Sequence, residues 1–347
     1  MVMLSYEFNS RIQHRNNIKK MTEGSEQGRI RPLAFLIPKI RLKVNRLNVL
    51  SLCDGMSGGQ IALKELGISV DTYYASEIEK NAIKVTQDNF PNTVQLGDVI
   101  ALSENEAILK SLPPIDLVLF GFPCRSLSVA TSGRKEYNDG LKGVSGIFFN
   151  CLKILNWIQE HNNPSVKFLV ENVNSNKIGD LQVISSLLGV EPVLIDSNRF
   201  SAQDRERLYW TNIPIPPLPE GNDSVLADIL DDEVAESYYY NVPFTFHGED
   251  KKVCATLELK GHDILKRVNH PRFKSPTLTA CRGGHHQKKV YVNGRCRKLT
   301  ENEYRRLQTV PDWFKMNVAK SHIYNMCGDG WRIEVIKHIF KGLNEAK

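Results

Sequence analysis

The chain has 347 residues, of which 41% are hydrophobic and 24% charged; this length and composition are typical of globular proteins and exclude a single small module. It contains no run of about 18 apolar residues and no secretory signal, so we expect a soluble, intracellular protein. Its seven cysteines include no Cys-x-x-Cys pair, which argues against a disulfide framework and against a zinc site.

The net charge of +6 is distributed unevenly along the chain. Residues 1–46 hold ten Lys or Arg against three acids, and we interpret them as a basic N-terminal extension that either contacts nucleic acid or has no role of its own. Residues 260–306 hold thirteen Lys or Arg against three acids, whereas residues 220–250 hold nine acids and no Lys or Arg. Such a basic stretch fits a phosphate backbone as partner, although a solvated surface is an equally good reading.

From Leu47 onward the sequence alternates between strand and helix patterns. The strand LNVLSLC leads through the Gly-rich turn DGMSGG into the helix QIALKELG, which is followed by VDTYYASE, the helix EKNAIKVTQDNF and the short strand TVQLGD. The alternation continues with IDLVLFGFPC, a helix over residues 146–159, KFLVENV, LQVISSLLG and EPVLIDSNRF. This order predicts an α/β fold with a doubly wound, mostly parallel sheet.

The proline-rich segment IPIPPLPEG, residues 213–221, is the best candidate for a domain boundary. We therefore predict a catalytic or cofactor-binding domain over residues 47–214 and a second, smaller, β-leaning domain over residues 215–290. Residues 291–347 restore helical periodicity, with Thr300 and Glu303 forming a capping box before the amphipathic helix WRIEVIKHIFKGL. We expect this C-terminal segment to pack back on the first domain.

Ligands of doubly wound sheets bind at the carboxyl ends of the strands. The Gly-rich turn and Glu77, at the end of the second strand, suit an adenosine-containing cofactor, because the acid can hold both ribose hydroxyls. DGMSGG does not match Gly-x-Gly-x-x-Gly, which favours S-adenosylmethionine over a dinucleotide. Asp98 either accepts from the adenine amino group or only forms a turn.

Cys124 follows a central strand in GFPCRSLS. A buried cysteine is usually structural, but this position beside the cofactor suits a nucleophile, and Arg125 can favour the thiolate. Glu171 ends the next strand at the same edge, where an acid after the apolar run KFLV needs a role or a partner. Arg205 and Arg207 lie two residues apart, so on an extended segment they face one side and can reach Glu171 or a substrate carbonyl. A surface ion-pair cluster is the alternative for the two arginines.

A thiol, a carboxyl and arginine beside S-adenosylmethionine fit one reaction well. Carbon 5 of cytosine is a poor nucleophile until a thiolate adds to carbon 6, and a protonated carboxyl at nitrogen 3 stabilises the adduct.

These motifs, taken together, resemble the DNA cytosine-5 methyltransferase family over nearly all of residues 47–347. LSLCDGMSGG, SEIEKNA and GDV resemble the cofactor motifs, GFPCRSLS the nucleophile loop, SGIFF the fifth motif, ENV the acid motif, QDRER the substrate-holding motif and RKLTENEYRRLQTVPDWF the ninth. The resemblance implies a Rossmann-like S-adenosylmethionine-dependent enzyme without a metal, double-stranded DNA as partner, and a target-recognition role for residues 215–290. The catalytic residues that it implies are Cys124, Glu171, Arg205 and Arg207. The cofactor-binding residues that it implies are Cys53, Asp54, Gly55, Gly58, Glu77, Ile78, Asp98, Val99 and Pro123.

The sequence also departs from the family pattern. Ser51 and Cys53 replace an Asp and a Phe, and Arg125 replaces a Gln or Asn. GDGWRIEVIKHIF replaces Gly-Asn-Ser-Val and is closer to the animal de novo subgroup. A cytosine in a duplex must be flipped out to react, so we interpret residues 125–143 as a lid, or as a plain flexible loop, and CRGGHHQKK as the segment that contacts phosphates and bases. An RNA methyltransferase of the same family, an inactive DNA-binding homologue and a nucleotide-dependent oxidoreductase are the alternatives.

Overall fold

The computed structural model describes residues 46–128 and 139–344. The predicted basic extension up to residue 45, and residues 129–138 of the predicted lid, lie outside these ranges. Within them, no helix combines the length and the apolar character needed to span a bilayer.

The larger sheet contains seven strands within the residues described, in the order β3-β2-β1-β4-β5-β7-β6. They are β1 (Leu47–Leu52), β2 (Val70–Ser76), β3 (Val94–Gln95), β4 (Leu117–Phe120), β5 (Lys167–Val173), β6 (Val193–Asp196) and β7 (Glu206–Thr211). The first five run parallel to one another, and β7 runs antiparallel to both β5 and β6. The predicted α/β class with a mostly parallel sheet is confirmed.

Helices cover both faces of this sheet, as parallel strands require. They are α1 (Gly58–Glu65), α2 (Lys80–Asn89), α3 (Val99–Ser103), α4 (Glu106–Ser111), α5 (Ile147–His161) and α6 (Ile178–Leu188). Alternate residues of β1 point to opposite sides, because Val49 belongs to one apolar cluster and Leu50 and Leu52 to the other. The sheet thus separates two apolar cores, and polar residues lie at the carboxyl ends of its strands.

Strand β7 is the element that the sequence pattern predicts only as an extended segment. It inserts between β5 and β6, and its register places Tyr209 opposite Glu171 and Arg207 opposite Val173. This insertion brings the QDRER motif to the end of β5, where the acid motif lies.

A second sheet follows, with five strands in the described ranges and the order β12-β11-β10-β9-β8. They are β8 (Phe244–Phe246), β9 (Val253–Leu257), β10 (Arg267–Asn269), β11 (Lys289–Val292) and β12 (Arg295–Lys298). The sheet therefore extends to Lys298, beyond the range predicted for the smaller domain. It encloses a small apolar core around Cys254 and Val268.

Three helices complete the fold in the part of the chain that the structure describes: α7 (Glu301–Leu307), α8 (Lys320–Asp329) and α9 (Ile333–Phe340). The predicted capping box at the start of α7 is confirmed, since Thr300 Oγ1 accepts from Glu303 N and Glu303 Oε2 accepts from Thr300 N. Helix α9 packs against α1, which returns the end of the chain to the cofactor side of the large sheet.

Candidate active site

The carboxyl ends of β1, β2, β4 and β5 open into one cavity of about 490 Å³. Every residue that the sequence predicts for catalysis or cofactor binding lines it: Cys53, Asp54, Gly55, Gly58, Glu77, Ile78, Asp98, Val99, Pro123, Cys124, Glu171, Arg205 and Arg207. The structure therefore brings these side chains together, while their individual roles stay predictions.

The Gly-rich turn after β1 is held by the acid at the end of β2. Cys53, Gly55 and Ser57 all have positive φ angles, of 54°, 58° and 63°, which bend the chain sharply before α1. Glu77 Oε2 accepts from Gly55 N at 2.7 Å, and its other oxygen accepts from Ile78 N at 2.7 Å. Glu77 thus fixes the Gly-rich turn and the start of the loop after β2, while its contact with a ribose stays a prediction.

Asp54 has a buried oxygen that lacks a partner. Tyr73 donates its hydroxyl to Asp54 Oδ1 at 2.9 Å, whereas Asp54 Oδ2 has no hydrogen-bond partner among the residues described. Burial raises the pKa of Asp54 to about 6. Asp54 is thus a buried acid beside the cavity, and its contact with a cofactor stays a prediction.

Asp98 forms the turn that its sequence position allows. Its Oδ1 accepts from Ile100 N at 2.9 Å and caps α3, and the same residue lines the cavity. Contact with an adenine amino group stays a prediction.

The loop that carries Cys124 is fixed by side chains from other parts of the fold. Four backbone carbonyls around the thiol each accept a side-chain hydrogen bond: Phe122 O from Asn172 Nδ2 at 3.0 Å, Pro123 O from Ser145 Oγ at 2.7 Å, Ser126 O from Lys177 Nζ at 2.6 Å and Leu127 O from Ser175 Oγ at 2.6 Å. Because these bonds come from both sides of the thiol, they fix the position of Cys124 in the cavity.

The charges around Cys124 differ from the sequence expectation. Burial raises the pKa of the thiol, Arg207 opposes this effect most strongly, and Glu171 adds to it. Strand β7 therefore brings a cation, Arg207, to the nucleophile that the sequence pattern did not predict for this role, while the role of Arg125 stays a prediction.

Glu171, near the end of β5, forms a direct pair with Arg207, at the start of β7. Arg207 Nε lies 3.0 Å from Glu171 Oε1, with side chains 14% and 11% exposed. Burial raises the pKa of Glu171, and the charges of Arg207 and Arg205 oppose the rise. A raised pKa favours the protonated form of the carboxyl, which can donate a proton to a substrate.

Arg205 makes different contacts from Arg207. Its buried guanidinium donates to Leu278 O at 3.0 Å, Gly328 O at 3.1 Å and Gly330 O at 3.1 Å. Of the two arginines predicted to reach Glu171 or a substrate carbonyl, Arg207 pairs with Glu171, whereas Arg205 connects its own segment to Leu278 and to the C-terminal segment. Contact of either arginine with a substrate stays a prediction.

Several cavity residues come from the second half of the chain and were not predicted. They include Arg282, His322, Asn325, Asp329 and Trp331. Trp331 Nε1 donates to Glu171 Oε2 at 3.0 Å. The departure of GDGW from the family's Gly-Asn-Ser-Val was the available signal for Asp329 and Trp331, and the basic CRGGHHQKK segment was the signal for Arg282.

Comparison with known proteins places these features in context. The family model for C-5 cytosine-specific DNA methylases matches residues 47–345. Type II methyltransferase M.Bsp6I of Bacillus sp. (strain RFL6) is 26% identical over 326 residues, covering 86% of this chain and 99% of the relative. Type II methyltransferase M.HhaI of Haemophilus parahaemolyticus is 26% identical over 320 residues, covering 84% of this chain and 93% of the relative. The crystal structure of S. pombe Dnmt2 methyltransferase shares the fold, with 19% identity, a TM-score of 0.56 and coverage of 86% of this chain and 100% of that one.

Proposed function

We propose, for a chain that belongs to the C-5 cytosine-specific DNA methylase family, that Cys124, Glu171 and Arg207 carry out its methyl transfer. The protein is a DNA cytosine-5 methyltransferase. The observation that supports these roles is the 3.0 Å pair of Arg207 Nε and Glu171 Oε1 in the cavity that Cys124 also lines.

The reaction proceeds by transient addition of Cys124 to the pyrimidine ring. The thiolate forms a bond to carbon 6 while Glu171 gives its proton to nitrogen 3, and the electron pair that is displaced makes carbon 5 nucleophilic. Carbon 5 can then take a methyl group from a bound donor, in which the sulfur–methyl bond would break as the carbon–methyl bond forms. Loss of the carbon 5 proton to solvent leaves the electron pair that restores the carbon 5–carbon 6 double bond and expels Cys124 as a thiolate, and nitrogen 3 returns its proton to Glu171.

S-adenosylmethionine supplies an electrophilic methyl group when bound. Glu77 and Asp98 are placed to hold the ribose and the adenine, because both line the cavity after successive strands. Asp54 holds a positive charge of the cofactor, and its position beside the cavity supports this role.

The substrate is duplex DNA with the target cytosine flipped into the cavity. Residues 215–290, with the two strands that complete their sheet, form the target-recognition module. Arg282 reaches the cavity wall from the CRGGHHQKK segment, which supports contacts between this segment and the DNA around the flipped base.

Covalent capture tests the role of Cys124. We expect the wild-type protein to form a stable adduct with duplex DNA that contains 5-fluorocytosine, since fluorine at carbon 5 blocks release of the thiol. Cys124→Ala should lose the adduct and keep its affinity for S-adenosylmethionine, measured by calorimetry. Cys254→Ala, which removes a buried thiol of the second sheet, should still form the adduct. An adduct with Cys124→Ala would show that another residue is the nucleophile.

Methyl transfer to several duplex DNAs, followed by base-resolution mapping, tests the substrate. Methylated cytosines in a defined sequence context are the expected result. Transfer to transfer RNA but not to DNA would favour the RNA enzyme, and binding to DNA without transfer would favour an inactive homologue.

A further inference from the structure

The carboxyl of Glu171 contacts two side chains, Arg207 from β7 and Trp331 from the C-terminal segment. Trp331 lies between α8 and α9, and its Nε1 is 3.0 Å from Glu171 Oε2, while Arg207 Nε is 3.0 Å from Oε1. Each carboxyl oxygen therefore has its own donor, one from β7 and one from the C-terminal segment. Two donors on the two oxygens fix the plane of a carboxyl more strictly than one donor does.

Gly121 leaves the space that this arrangement needs. A Cβ at Gly121 would lie 2.5 Å from Trp331 Nε1 and 3.3 Å from Glu171 Oε2. Gly121 follows β4 directly, begins the nucleophile loop and precedes Cys124 by three residues. The strand of the nucleophile, the strand of the acid and the C-terminal segment thus meet at one point, and only a glycine fits there.

The backbone before Trp331 is also anchored. Arg205 donates to Gly328 O and Gly330 O, both at 3.1 Å, and a Cβ at Gly58 would stand 3.4 Å from Trp331 Cβ. Trp331 is therefore held from its backbone by Arg205 and from its side by α1. An indole fixed in this way presents its N–H in one direction.

We propose that Trp331 is a positioning residue for methyl transfer, which orients the Glu171 carboxyl through the hydrogen bond from its indole N–H. This inference rests on the proposed role of Glu171. An indole nitrogen can only donate, so the bond favours the ionised carboxylate and opposes the effect of burial. Trp331 thereby sets both the direction of the acid and the pH range in which it holds a proton.

The test compares Trp331→Phe with Trp313→Phe in single-turnover methylation across pH. Trp313 is the matched control, because its Nε1 also donates to a carboxylate, Glu65 Oε1 at 2.7 Å, but outside the cavity. We expect Trp331→Phe to methylate about tenfold more slowly at its optimum, the size of one hydrogen bond to a charged group. The decline of its rate at high pH should move to higher pH, because the protonated acid persists longer. Trp313→Phe should follow the wild type.

Gly121→Ala provides a second variant that keeps the indole and the acid but forces them apart. It should show the same slowing and the same displacement of the alkaline limb, and it decides the question if Trp331→Phe does not fold. Gly179→Ala, at a site with no atom within 4 Å, is its control. If the methylation rates of Trp331→Phe and Gly121→Ala declined at the same high pH as the rate of the wild type, the proposed role of Trp331 would be wrong. Failure of the wild type itself to capture 5-fluorocytosine DNA would instead overturn the proposed function.

Discussion

Arg207 acts on two titratable groups for which the proposed mechanism needs opposite protonation states. Its charge lowers the pKa of the Cys124 thiol and that of the Glu171 carboxyl, while burial raises both. Attack needs a thiolate, and stabilisation of the adduct needs a protonated acid. An arginine keeps its charge throughout this exchange, and the pair with Glu171 Oε1 fixes its direction.

We expect Asp54 to make cofactor binding sensitive to pH. Its pKa of about 6 means that the carboxyl is largely ionised at pH 7.5 and largely neutral at pH 5. A neutral carboxyl does not attract a cation, so we expect the affinity for S-adenosylmethionine to fall as the pH drops through about 6. Calorimetry between pH 5 and 8 measures this directly.

The pKa of Asp54 also predicts whether cofactor binding releases or takes up protons. Because a bound cation favours the ionised form of Asp54, binding near pH 6 should release protons, seen as a dependence of the heat on the buffer. Asp54→Asn should bind more weakly at pH 7.5 and show a flat profile, whereas Asp139→Asn, which does not line the cavity, should follow the wild type. A sloping profile in Asp54→Asn would assign the pH dependence to another group.

At the scale of elements, the sequence predicts which residues lie at the ends of the strands. It does not predict which residues from distant segments lie beside them. Alternating strand and helix patterns place Cys124, Glu171 and Glu77 at one edge, because parallel strands all end on the same side. That reasoning needs only local periodicity, which the sequence between Leu47 and Asp196 provides.

Strand β7 and Trp331 depend on contacts that are distant in sequence. Two arginines at i and i+2 are predicted to share a face, yet pairing of β7 with β5 brings only Arg207 into hydrogen-bond contact with Glu171. Arg205 precedes the strand and turns to carbonyls instead. Trp331 reaches Glu171 from 160 residues away, and no local pattern specifies that return.

Lys274 connects two segments that flank the QDRER motif. Its ammonium donates to Ser201 O, Asn222 O and Ser224 O, each at 2.9 Å. Lys274→Met would leave these carbonyls without their charged donor, so we expect a loss of about 1–3 kcal/mol in the free energy of unfolding. Urea unfolding measures it. Lys260→Met, at an exposed position, should leave the unfolding midpoint unchanged, and equal midpoints for both variants would show that the Lys274 contacts contribute nothing.

For the molecule as a whole, the cavity is the place where separate parts of the chain meet. The large sheet supplies Cys124 and Glu171, the segment before β11 supplies Arg282, and the C-terminal segment supplies Trp331. The positive charge is also unevenly divided. Residues 260–306 have ten more Lys and Arg than Asp and Glu, whereas residues 220–250 have no Lys or Arg. DNA that reaches the cavity would therefore meet the basic stretch of the smaller module.

Arg205 joins these parts, and Arg205→Lys tests whether the cavity depends on that connection. A lysine keeps the charge but cannot repeat the planar fork that reaches Leu278 O, Gly328 O and Gly330 O together. Each buried carbonyl that loses its donor costs about 1–3 kcal/mol. We expect a lower melting temperature and weaker binding of both DNA and S-adenosylmethionine, because both walls of the cavity lose an anchor.

The alternative role for Arg205, direct contact with the cytosine, predicts a different pattern. In that case Arg205→Lys would also reduce the single-turnover methylation rate when DNA and S-adenosylmethionine are saturating. Arg199→Lys is the control, since Arg199 also donates to a carbonyl, Pro219 O at 2.6 Å, but outside the cavity. Melting curves and calorimetry measure the anchoring role and saturated single-turnover rates measure contact with the cytosine, so the three measurements separate the two roles.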